Sequence, residues 1–126
     1  MNFVEAASAL NARLAAGDDN LAAAGAVFLA VEAWKKLSGR AVAWERFGLA
    51  ILDVRSRLYS EDDDVVVDAT APEADGPLVR AALIDLVEQL ARYHSRRAVH
   101  SGDGLAQRLE HDAVAQQLRR AAIALA

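Results

Sequence analysis

The chain has 126 residues, 54 % of them apolar, with no cysteine, a formal charge of −4 and a pI near 5.3. That length fits one domain, residues 1–126, able to bury roughly two thirds of the surface its unfolded form exposes. The missing cysteines exclude disulfides, thiol chemistry and cysteine-bearing zinc or iron–sulfur sites, and the acidic balance gives no general positive field for nucleic acid or anionic lipid.

Twenty-nine residues are Ala and sixteen are Leu, against three Ile. Ala and Leu lead the helix scale, so composition predicts an all-α chain. Twelve Arg against two Lys, in so Ala-rich a sequence, fits a GC-rich bacterial coding sequence. Met1-Asn-Phe-Val-Glu5 carries an acid where a secretory signal is basic. The longest apolar run, residues 21–31, is about half of what a bilayer span requires. The expectation is a cytoplasmic protein that does not enter a membrane.

Asn2 and Glu5 have capping-box spacing, and Phe3, Ala7, Leu10 and Leu14 then form one apolar stripe. This first helix should stop near Gly17, with Asp18, Asp19 and Asn20 supplying a turn and an N-cap. The second helix, about 20–37, has no polar side chain from Leu21 to Val31 and carries Glu32, Lys35 and Lys36 near its end. A helix apolar on every side must be covered on every side. Gly25 here and Gly48 in the next segment invite a close helix crossing as their explanation. Around Ser38-Gly39-Arg40 the periodicity allows one long helix or two, and a break is favoured because two antiparallel helices bury these faces more easily than one long rod.

Trp44, Phe47, Ile51, Val54 and Leu58 continue the apolar phase to about Tyr59. Residues 60–77 then hold seven acids, two prolines and no basic residue, which reads as a long acidic loop. Within it Val65-Val66-Val67 suits a short extended stretch, open to pairing with its counterpart in a dimer. Pro77 suits the first position of a fourth helix, with Val79, Leu83, Leu86, Val87 and Leu90 inward. After a break at Ser101-Gly102-Asp103-Gly104, a fifth helix places Leu105, Leu109, Val114, Leu118, Ala122 and Leu125 inward. The predicted fold is an antiparallel bundle of four or five helices with the acidic loop crossing it.

No motif carries chemistry. No Glu is followed by His three residues later, and Walker, nucleophile-elbow and EF-hand spacings are absent. The pattern therefore assigns no catalytic residue, no metal ligand and no cofactor. Of the three histidines, His94 falls on the inner stripe and is expected to bond a backbone carbonyl, while His111, among polar neighbours, is expected in solvent. A metal site from His94, His100 and Glu110 would need the last two helices to fold back on each other, and spacing gives it no support. Arg92, His94, Arg96 and Arg97 form the densest basic stretch; as compensating cations at a helix C-terminus, facing the 61–64 acids, they need no nucleic-acid role. Glu61-Asp62-Asp63-Asp64 lacks the alternation and glycine of a calcium loop.

Phe28, Trp34, Trp44 and Phe47 are the candidates for an interface or a pocket. The functional expectation is a non-enzymatic protein–protein interaction or assembly module, a homodimer built on the surplus apolar surface of the second and third helices. The alternative is a small-ligand-binding or regulatory bundle whose pocket those aromatic side chains line.

Overall fold

The structure, a computed structural model, describes residues 1–60, 65–99 and 104–126. It is all-helical: α1 (Phe3–Ala16), α2 (Asn20–Leu37), α3 (Val42–Leu58), α4 (Pro77–Val99) and α5 (Leu105–Leu125). The boundaries follow local chemistry. The Asn2 side chain accepts the Glu5 N–H at 2.8 Å, and its amide donates to the Glu5 carboxylate at 2.7 Å, so the cap closes reciprocally. Asp19 accepts the Ala22 N–H at 2.9 Å and starts α2.

Gly39 breaks the chain between α2 and α3. Its φ of +87° lies in the left-handed region, where a side chain is strained. Its N–H donates to Glu45 Oε1 at 2.6 Å, so a side chain from the first turn of α3 holds the reversal. The break therefore stands, and no single rod runs from α2 into α3.

The helices form a ring in which α1, α2, α3, α5 and α4 follow one another by contact, with α2 also touching α4 across the middle. α2 and α5 begin at the end of the bundle where α3 and α4 finish, as side chains shared by these four termini show. Helix α2 is covered nearly all round, with Ala22 to Val27, Leu29 to Val31 and Ala33 buried. Three helices supply most of that cover. The segment 65–76 supplies more: Val65 and Val67 turn inward while Val66 is exposed, and the Thr70 N–H bonds the Met1 carbonyl at 3.1 Å. The valines thus alternate as an extended stretch does, and they face α2 of their own chain.

Both helical glycines make room for side chains rather than for a neighbouring backbone. A Cβ on Gly25 would meet Leu10 and Val67 at 3.3 Å each, and one on Gly48 would overlap the Trp34 indole. In α5, Val114, Leu118, Ala122 and Leu125 are buried as expected, but Leu105 and Leu109 are exposed. The inner stripe of α5 runs through His111, Val114, Ala115 and Leu118, and Leu109 is two residues off that phase.

Candidate functional site

The described core has two buried polar or charged side chains, His94 and His111, and they touch. Their Nδ1 atoms are 2.9 Å apart, with the rings stacked at 27°. On its other side His94 Nε2 is 2.6 Å from the Tyr59 hydroxyl, and the Tyr93 ring stands edge-on to His94 at 4.9 Å. Tyr59, His94 and His111 are thus a chain of hydrogen bonds from the end of α3, through α4, to the first turns of α5.

Helix geometry brings them together. α4 and α5 pack against each other, and the end of α4 meets the start of α5, so His94 and His111 lie side by side. Around them the four termini are stitched by polar bonds. Arg57 spans Asp53 at 2.8 Å and Glu110 at 3.0 Å, and Gln117 donates to Asp53 at 2.9 Å. Burial pushes the Asp53 carboxyl up, but the Arg57 and Gln117 bonds overcome this and leave it below the ordinary carboxylate value. Tyr93 donates to Asn20, and burial raises its hydroxyl above the usual phenol value.

His94 is the most perturbed of these groups. Burial, then the neighbouring His111 and the Arg97 charge, hold its pKa down to about 3, so the ring is neutral near pH 7. A neutral ring owns one N–H, which fixes the bookkeeping of the chain. Either Tyr59 donates to His94, which donates to His111, or His111 donates to His94, which donates to Tyr59. Both arrangements satisfy every atom in the two contacts.

The chain faces a cleft of about 290 Å³. Its lining combines apolar side chains, Leu21, Ala24, Leu58 and Val65, with Asn20, Tyr59, Tyr93, His94, His111, Arg97 and Gln107. A second hollow of about 180 Å³ adjoins it across Ala24, Tyr59 and Val65, and Phe28 lines that one.

Sequence reasoning found part of this. His94 is on the inner stripe as expected, but its partners are side chains and not a backbone carbonyl. His111 is buried rather than solvated; it holds an inner α5 position because the inner stripe passes through it. Arg97 lines the cleft, Arg96 reaches the Leu14 carbonyl at 3.3 Å and Asp18 at 3.6 Å, and Arg92 is exposed beside Gln89. The expected docking of this basic stretch on the 61–64 acids, and the calcium reading of that run, lie outside the described residues, as does His100. Trp44 and Phe47 are fully buried and pack edge to face at 5.6 Å, while Trp34 is half-buried against Gly48. The two helices expected to offer surplus apolar surface therefore spend most of it on the chain's own core.

Among the described residues no three His, Cys, Asp or Glu side chains gather as a metal site, and no helix is long and apolar enough to cross a membrane. Comparison with protein-family models, curated proteins and solved structures finds no match to this chain.

Proposed function

We propose that the protein is a small-ligand-binding helical bundle and that the Tyr59–His94–His111 cleft is its site. One observation carries this: hydrogen-bonded polar rings sit buried in an Ala- and Leu-rich core, beside a cleft that they line. Taking such groups out of water is costly, and an apolar core of the same shape would avoid the cost. Strongly perturbed titratable groups cluster at functional sites, and one that borders a cleft is a candidate for such a site. The apolar part of the lining suits a hydrocarbon body and the polar part a hydrogen-bonding head.

Titration of isotope-labelled protein with hexanamide, a neutral probe with both features, tests this by NMR. The proposal expects amide shifts centred on Leu21, Ala24, Leu58 and His111. Shifts scattered over the surface, or none, would refute it.

One observation favours self-association as a second function, with another copy of the chain as partner. Leu49 and Ile123 are 76 % and 73 % exposed and flank one groove between α3 and α5. Sedimentation of the native chain beside Leu49→Glu decides this: a dimer abolished by the substitution supports it, and a native monomer at high concentration ends it.

A further inference from the structure

Two grooves lie on the half of the bundle away from the Tyr59–His94–His111 cleft. One runs between α3 and α5, where Ala50 and Ala124 line it and exposed Leu49 and Ile123 flank it. The other, of about 260 Å³, runs between α1 and α4. Ala7, Ser8 and Ala82 line it, and Val4 and Leu78 are its exposed aliphatic side chains. The helix ends that flank the undescribed residues, Leu58, Val99 and Leu105, lie about 20 Å along their helices from Arg46, Asp85 and Arg120.

The grooves carry opposite charges. Arg46 and Arg120 are the charged side chains that line the α3–α5 groove. Among the described residues Arg46 has no side-chain hydrogen bond or ion pair, and Arg120 has only a 3.4 Å contact with Gln117 of its own helix. Asp85 is the charged side chain that lines the α1–α4 groove, and its carboxylate has no donor among the described residues. Asn11 lines the same groove, and its Oδ1, shut off from water, accepts no bond there either. One groove thus presents unused donors and the other unused acceptors.

These charges decide which surfaces fit together. Pairing either groove with its own copy turns like charges toward each other, arginine toward arginine or Asp85 toward Asp85. Pairing one groove with the other turns Arg46 and Arg120 toward Asp85, and such complementarity guides encounter and rejects wrong partners. The shapes agree as well. Leu49 and Ile123 are ridges for the alanine-lined α1–α4 groove, and Leu78 is a ridge for the α3–α5 groove.

On the reading of the Leu49–Ile123 face as a self-association surface, we infer that it docks on the α1–α4 groove of a second copy, in a head-to-tail contact. Each protomer then contributes a different surface, and every assembly keeps one face free at each end. Further copies add until the rotation closes a ring, or without end if it does not.

Two exposed helix positions test this by sedimentation. Leu49→Glu spoils the α3–α5 face, and Ala81→Arg spoils the α1–α4 groove that Ala81 lines. The native chain should form assemblies larger than a dimer as its concentration rises. Each variant alone should be a monomer, yet an equal mixture should form a dimer, because each supplies the face that the other has lost. Asp85→Arg should weaken native assembly about tenfold. If Leu49→Glu is a monomer while Ala81→Arg still forms a dimer, the contact is symmetric, and the head-to-tail inference falls while self-association stands. A mixture that stays monomeric, or an Asp85→Arg chain that assembles as the native one does, would also overturn it. A native monomer at every concentration would end the self-association reading itself.

Discussion

The Trp34 indole of α2 lies across the bare Cα of Gly48 in α3, where a Cβ would overlap three of its ring atoms. The half-buried tryptophan thus depends on a missing methyl group. Gly48→Ala gains helix propensity worth about 1 kcal/mol but must displace a rigid ring, and overpacking of this kind costs about 1–3 kcal/mol. The expected result is net destabilisation with a changed Trp fluorescence. Gly25→Ala meets only the tips of Leu10 and Val67, at 3.3 Å. Those tips can yield, so it should be near neutral. Urea unfolding of both variants checks the contrast, and equal effects would contradict it.

Asp75 and Arg80 form the joint between the 65–76 segment and α4. Arg80 binds both carboxylate oxygens, at 2.9 and 2.8 Å, and its guanidinium lies 5.9 Å from the centre of the Trp44 ring. Arg80 above all, opposed by burial, brings the Asp75 carboxyl down to about 2. A lowered carboxylate contributes stability above its unfolded value of 3.8, and that contribution disappears as pH falls through about 2. Asp75→Asn should cost about 1 kcal/mol at pH 7, and the difference from the native chain should close in strong acid. Unfolding curves at pH 7 and pH 2 measure it; an unchanged gap would count against the pairing.

His94 stays neutral in the fold down to about 3, whereas in the unfolded chain it takes up a proton near 6.5. The unfolded state therefore binds more protons in that window. Its stabilising effect is complete above pH 6.5 and falls by up to ~1.4 kcal/mol per pH unit below it. His94→Leu removes this dependence but takes away the ring that bonds the Tyr59 hydroxyl and His111, so it should cost about 1–3 kcal/mol at pH 7. The native and variant stability curves should converge between pH 6.5 and pH 5, and parallel curves would argue against a buried neutral ring.

Much of the fold is legible in the sequence because the helices announce themselves locally. Asn2–Glu5 capping, the stripe from Phe3 to Leu14, Pro77 at the head of α4 and the Gly39 break all depend on neighbours a few residues apart. The α2 run shows that it must be covered, but nothing in its own residues says what covers it. Val65 and Val67, some forty residues away, supply part of that cover, and a partner chain was the simpler expectation. The site was harder still. His111 has Glu110 and Asp112 as neighbours, and only the register of α5 against α4 turns it inward to His94. That register depends on the whole inner stripe from Val114 to Leu125, so no short motif could carry it.

The contact between His94 Nδ1 and His111 Nδ1 can be observed directly, because a proton shared between two nitrogens transmits a scalar coupling across the hydrogen bond. In protein labelled with ¹⁵N at its histidines, a coupling between these two nuclei at pH 7 is the predicted result, with the His94 ring staying neutral where an exposed histidine titrates. Two rings that show no coupling, with His94 titrating near 6.5, would contradict the buried chain on which the proposed site rests.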